Sequence, residues 1–241
     1  MEFRRLLPRL AKGGHDTYAV DMLGWGFSER LGQYVKGGFS ADAKRDALYS
    51  FWRDEMQGEP VVLAGASLGG AAAIEFAAAH PHAVAGMVLI DAQGFVDGVG
   101  MLSKLPDPLA RLGIQILKSR PLRRMANDMS YADPRFATED AMRIGRLHTL
   151  RDTWETAAVD FMLSGGFAPA SKISRVQCPV QVLWGRDDKI LEPEKAGRFV
   201  EELEKCQLDW IEQCGHVPHL EQPDETSRLI SKFVYDLAES A

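Results

Sequence analysis

The stretch Pro60-Val61-Val62-Leu63-Ala64-Gly65-Ala66-Ser67-Leu68-Gly69-Gly70, with the alanine-rich run Ala71–His80 behind it, decides the fold of this chain. Pro60–Ala64 is a short, continuous apolar run of the kind that forms a strand buried on both faces. Ala71–His80 has helical composition and is stopped by Pro81. Between them, Gly65-x-Ser67-x-Gly69 matches the strand–turn–helix pattern of a nucleophile elbow. The turn is so sharp that a Cβ on either flank would run into neighbouring backbone, which is why glycine is needed there. It lifts the Ser67 hydroxyl above the sheet, at the amino end of the next helix. There the helix dipole and the Leu68 N–H can stabilise a developing oxyanion. A glycine-rich turn can carry the bare pattern by chance, so the correct context on both sides is what gives it weight.

Outward from the elbow, apolar runs alternate with helical segments. Thr17–Asp21 is a short strand pattern followed by the loop Gly24-Trp25-Gly26, and Ala41–Met56 reads as a helix. Met87–Asp91, Val180–Trp184 and Gln207–Glu212 read as strands, and Pro193–Lys205 and Thr226–Ala238 as helices. Phe3, Leu6, Leu7 and Leu10 share one helical face, so the basic amino terminus reads as a surface helix packed on a core. Continuous Val/Ile/Leu runs separated by helices imply a mostly parallel sheet covered on both faces, an α/β fold. From about Phe95 to Ile173 the rhythm breaks into helical segments without a strand. The expected organisation is therefore a core domain from residues 1–94 and 174–241, with a helical insertion over 95–173.

A serine hydroxyl is a weak nucleophile until a base takes its proton. Of the six histidines, His80 and His82 flank Pro81 at a helix end, and His15 and His148 lie in a loop and in the insertion. His216 follows the last strand pattern, at the strand edge where ligands meet open α/β sheets, and is the expected base. His219, three residues on, reads as structural. The carboxylate that would orient the imidazole has three candidates: Asp187 and Asp188 in Gly185-Arg186-Asp187-Asp188-Lys189, and Asp91 at the end of another strand. For Asp91 a turn-forming role is the plainer account.

Four pieces in this order, AVDMLGWGFSE (Ala19–Glu29), GASLGG (Gly65–Gly70), LWGRDDKIL (Leu183–Leu191) and CGHVPHLEQPDE (Cys214–Glu225), resemble the α/β-hydrolase superfamily. The likeness is to its capped branch, which includes meta-cleavage-product hydrolases, epoxide hydrolases and haloalkane dehalogenases. The resemblance implies an α/β-hydrolase fold, a helical cap over 95–173, and catalytic residues Ser67, Asp188 and His216 with Leu68 in the oxyanion hole. In the family the acid stands three residues after the glycine of the tryptophan–glycine pair, which points to Asp188. The family proline four residues beyond the acid is replaced by Glu192, with Pro193 next, and this shift keeps Asp187 in play. Serine at the elbow suits acyl transfer; relatives that open epoxides or displace halides use aspartate there. Cap side chains such as Phe95, Trp154, Phe161 and Met162 could line the pocket, although such residues in helices more often form core.

The family pattern also places three strands and a histidine–glycine loop, the source of a second oxyanion donor, ahead of Thr17. None of these precedes it in this sequence. The expectation is a chain lacking its N-terminal strands, with a gap between the Thr17–Asp21 and Pro60–Ala64 strands. Unpaired ladder groups there would cost roughly 1–3 kcal/mol each, against a domain stability of about 5–15 kcal/mol. Such a chain would fold poorly and turn over slowly.

Composition narrows the partners. The net charge of −6 argues against nucleic acid or an anionic membrane as the main partner. No apolar stretch approaches the ~20 residues of a bilayer-spanning helix. The three cysteines, Cys178, Cys206 and Cys214, lack metal spacing and read as reduced thiols, which points to the cytoplasm or another reducing compartment; an organelle-targeting segment lost with the amino terminus is compatible with this. No cofactor or metal is expected. The function expected is a serine hydrolase acting on a small carboxylic ester or related acyl or carbonyl substrate. The competing reading is a non-catalytic, ligand-binding or receptor-like homologue, or an inactive fragment.

Overall fold

The computed structural model describes residues 2–28 and 37–239; Glu29, which ends the first of the four motifs, lies outside them. The amino-terminal segment forms α1 (Leu7–Lys12), and α2 (Ala41–Glu55) is capped by the Ser40 hydroxyl, which accepts the Ala43 N–H. The elbow region forms β1 (Val61–Ala66) and α3 (Leu68–Ala79), and β2 (Val84–Ile90) follows directly. Four helices come next with no strand among them: α4 (Asp107–Lys118), α5 (Arg120–Ser130), α6 (Glu139–Arg146) and α7 (Trp154–Leu163). The chain then returns through β3 (Val180–Gly185), α8 (Glu194–Glu202), β4 (Cys206–Ile211), the one-turn α9 (Pro218–Glu221) and α10 (Pro223–Glu239).

Among the described residues the sheet has four parallel strands in the order β1-β2-β3-β4. Alternate residues of each strand face opposite sides, and the packing obeys that period of two. Met87 and Leu89 of β2, with Val182 and Trp184 of β3, meet Trp52 of α2, Phe76 of α3 and Phe199 of α8. Val88, Ile90 and Leu183 face the other way, onto Leu10 of α1 and Leu229, Ile230 and Phe233 of α10. Burial on both faces explains why β2 and most of β3 read as apolar runs, whereas the edge strand β4, with Gln207 and Asp209, alternates.

One expected strand is not there. Thr17–Asp21 is irregular, and Tyr18 and Val20 in it are exposed. A strand exists only through a ladder partner, and among the described residues this segment has none. Asp21 instead accepts the Phe27 N–H at 2.8 Å and the Ser28 hydroxyl, which closes the Gly24-Trp25-Gly26 loop upon itself. β1, whose only described neighbour is β2, is correspondingly less buried than β2 and β3.

Behind that loop sits Lys44 of α2, only 1% exposed. Its ammonium donates to the Leu23 carbonyl and lies 4.0 Å from the Trp25 ring centroid and 5.3 Å from that of Phe161. Burial pushes it from an ordinary 10.5 down to about 7, against the opposing pull of Asp160. Between those values the unfolded chain binds more protons than the folded one, so this group makes stability rise with pH. The melting temperature of the native chain is therefore expected to climb from pH 7 to about 8, above which the unfolded thiols ionise while burial holds the three folded thiols protonated, and the slope reverses. Lys44→Met is expected to flatten that climb; differential scanning calorimetry across the window reads it directly.

Candidate active site

Loops at the carboxyl ends of the four strands bring the site together. Ser67 follows the last residue of β1 and precedes α3, with φ +50° and ψ −119°, a conformation L-residues rarely hold. Its N–H donates to the Ile90 carbonyl at 3.0 Å, and its own carbonyl accepts from Gly70 and Gln93 at 2.9 and 3.0 Å. The main chain thus holds the elbow from both sides. A Cβ on Gly65 would collide with the backbone of Gly69 and Gly70, and one on Gly70 with Ala92. Gly65→Ala is accordingly expected to spoil the turn, lowering the melting temperature and any activity together, which calorimetry and ester turnover on the same preparation would show.

His216, 6% exposed, stands between two partners. Its Nε2 lies 2.9 Å from the Ser67 Oγ and its Nδ1 lies 2.8 Å from Asp188 Oδ2. With Nδ1–H donating to the carboxylate, Nε2 is left to accept the serine proton. Asp188 is held in turn: its Oδ1 accepts the N–H groups of Ile190 at 2.7 Å and Leu191 at 3.1 Å. Asp187 is exposed, its N–H tied to the Cys214 carbonyl at 2.9 Å. Leu68, the first residue of α3, borders the cavity described below.

The remaining histidines have other partners. His15 Nε2 is 3.0 Å from the Ser231 hydroxyl, His80 stacks on Tyr49 with centroids 4.2 Å apart, and His219 is buried with Nε2 2.9 Å from Glu2. His148 packs edge-on against Trp154 and borders the cavity.

One contributor carried no sequence expectation. Glu221, inside the CGHVPHLEQPDE motif, accepts the N–H groups of Gly215 at 2.8 Å, Asp133 at 2.8 Å and Ala132 at 3.2 Å. It clamps the histidine loop to the segment after α5. Its place in the motif was a visible signal; its partners were not. The pocket expected beside the cap side chains is a cavity of about 800 Å³ between the sheet edge and the α4–α7 helices. Trp25, Trp154, Phe161 and Met162 give it an apolar wall, and it reaches the elbow at Leu68 and the histidine loop at Val217. Phe95 is not part of it: that ring packs on Phe199, centroids 4.5 Å apart, in the core.

Among the described residues one cluster has metal-ligand spacing, Asp91, Asp188 and His216, with one ligand atom from each lying within 4.8 Å of the others. Hydrogen bonds already engage the imidazole and Asp188 from several sides. No helix among the described residues is long and apolar enough to cross a membrane.

The pattern of the alpha/beta hydrolase family matches residues 1–229. The chain belongs to the alpha/beta hydrolase family. Its sheet and covering helices are the alpha/beta hydrolase fold. It is 37% identical over 236 residues to the alpha/beta hydrolase domain-containing protein VTE7 of Arabidopsis thaliana, a match that spans 97% of this chain and 70% of that protein. It is 27% identical to a 2-hydroxy-6-oxononadienedioate/2-hydroxy-6-oxononatrienedioate hydrolase of Cupriavidus pinatubonensis, over 96% of this chain and 80% of that one. Among solved structures, a serine hydrolase involved in carbazole degradation superposes with a TM-score of 0.74 at 24% identity, over 96% of this chain and 83% of that one. A meta-cleavage product hydrolase from Pseudomonas fluorescens superposes with a TM-score of 0.73 at 22% identity, over 98% and 85% of the two chains. In this alpha/beta hydrolase the motif order seen in the sequence is also the order in which the chain visits the site.

Proposed function

We propose that the protein is a serine hydrolase acting on a small carboxylic ester or a related acyl or carbonyl substrate, with Ser67 as nucleophile, His216 as base and Asp188 as the orienting acid. The observation that carries this reading is the hydrogen-bonded line from Ser67 Oγ through His216 to Asp188, at 2.9 and 2.8 Å, beside an apolar cavity.

The chemistry follows from that line. As Ser67 Oγ attacks the substrate carbonyl carbon, its proton passes to His216 Nε2. Asp188 keeps the imidazole in the tautomer that can take the proton and stabilises the cation that forms. The negative charge on the former carbonyl oxygen falls near the N-terminus of α3, where the Leu68 N–H is the proposed donor. Collapse of the tetrahedral species returns the proton from His216 to the leaving group. A water, deprotonated by the same nitrogen, then releases the acyl chain from Ser67. Residues 95–173 act in this proposal as a cap over the acyl pocket, with Trp154, Phe161 and Met162 as its apolar lining.

The test is a panel of p-nitrophenyl esters and vinylogous diketones, run beside labelling with a fluorophosphonate probe. Ester turnover with labelling is the expected outcome. Turnover of the diketones instead would reassign the reaction to carbon–carbon cleavage. Absence of both labelling and turnover would favour the non-catalytic, ligand-binding reading.

A further inference from the structure

Asp91 is the one carboxylate at the site that the proposed chemistry leaves without a task. It follows β2, is completely buried, and holds φ +40°, where a non-glycine residue is strained. Its N–H donates to the Leu183 carbonyl at 2.9 Å, and its Oδ1 accepts the Gly185 N–H at 2.9 Å. Its other oxygen, Oδ2, is buried and has no donor. A buried carboxylate oxygen without a donor is costly, whereas a carboxyl O–H in that place needs only an acceptor. The acceptor at hand is Asp188, which lies with His216 in the same cluster.

We infer that Asp91 is a positioning residue whose carboxyl, kept protonated, donates a hydrogen bond from Oδ2 to the Asp188 carboxylate and so fixes the group that orients His216. Two carboxylates this close and this deeply buried cannot both carry charge cheaply, and one of them takes the proton. Asp188 is the one that stays ionised, because Ile190, Leu191 and His216 already point N–H groups at it. Burial first, then the charge of Asp188, holds the Asp91 carboxyl well above the usual carboxylate range. Glu221 and Cys214 also face this region. Glu221 accepts three backbone N–H groups and the Cys214 thiol proton, and burial pushes that thiol up. Asp188 then receives four donors, one for each of its lone-pair directions.

The inference rests on the proposed Ser67–His216–Asp188 chemistry, and its experiment has a readout that does not need turnover. The infrared difference between the native chain and Asp91→Asn at pH 7 is expected to show loss of the carbonyl stretch of a protonated carboxyl. In kinetics, Asp91→Asn keeps an N–H donor toward Asp188 and an oxygen toward Gly185, so kcat is expected within about threefold of native. Asp91→Ala removes the donor, and kcat is expected to fall ten- to a hundredfold. The acid limb of the kcat/KM profile should also move to higher pH, because a less encumbered Asp188 charge favours the imidazolium. Loss of an ionised carboxylate band instead would overturn the inference. So would an asparagine variant as impaired as the alanine one, or an alanine variant with an unmoved pH profile. Failure of Ser67 to label, with the infrared band present, would sink the proposed function and not the hydrogen bond.

Discussion

Ser67→Ala is expected to remove labelling by a fluorophosphonate probe and to lower kcat by about 10⁶-fold, the loss seen when the nucleophile of a serine enzyme is deleted. The size of the effect comes from the division of labour at the site. Without Oγ there is no covalent acyl intermediate, and His216 can at best activate a water that must find its own place. What remains is binding in the cavity and the oxyanion field at the start of α3, a small share of the total. The substitution costs little stability, because Ser67 holds its turn through backbone bonds to Ile90, Gly70 and Gln93 and its hydroxyl touches only His216. A melting temperature close to native with labelling abolished is therefore the combined signature. Labelling that survived would transfer the role to another nucleophile.

Asp188→Asn is the second large effect. The amide is the same size and can sit in the same pocket, but it places an N–H₂ where His216 Nδ1–H needs an acceptor, or else rotates the imidazole tautomer. A fall in kcat of about 10⁴-fold is expected, following the serine-protease precedent for this change. Asp187→Asn is expected to stay within about threefold, since that residue is exposed and the imidazole Nδ1 is already hydrogen-bonded to Asp188. Both variants should be measured with the same ester, at a pH above the acid limb of the native profile. If Asp187→Asn proved the more damaging of the two, the acid would have to be reassigned and the loop geometry in solution would differ from the one described.

The fold was legible along the chain because its signals are local. The apolar runs that became β1 and β2 are short, continuous and bounded by turn residues, β3 is broken only by Gln181, β4 alternates around Gln207 and Asp209, and the alanine-rich stretch after Ser67 has helical composition. Thr17–Asp21 has the same local pattern and is not a strand. The difference is a partner, which lies outside anything five residues can encode. The apolar content of Trp154, Phe161 and Met162 suited core and pocket equally. They turned out to serve both, being buried against α4 or Phe167 and lining the cavity at once.

At the candidate site the same boundary appears residue by residue. The elbow is a matter of consecutive residues: glycine is required at 65 and 70, where a Cβ would strike the Gly69 backbone or Ala92, whereas a Cβ at 69 would meet open space, so the expected clash holds on one flank of Ser67 and not on the other. That much the sequence determines by itself, together with the order in which strand ends, acid loop and histidine loop follow one another. Which of two adjacent aspartates meets His216 is decided 28 residues away in the chain, by how the loops after β3 and β4 pack; neighbours in a loop point in different directions, and spacing alone left both open. Glu221 as a clamp, Lys44 between two rings and Asp91 beside Asp188 are likewise products of packing. Turn chemistry and periodicity depend on residues a few bonds apart, so sequence carries them. Pairing, burial and the charge state of a carboxyl depend on what the folded chain brings alongside, so only the tertiary structure decides them.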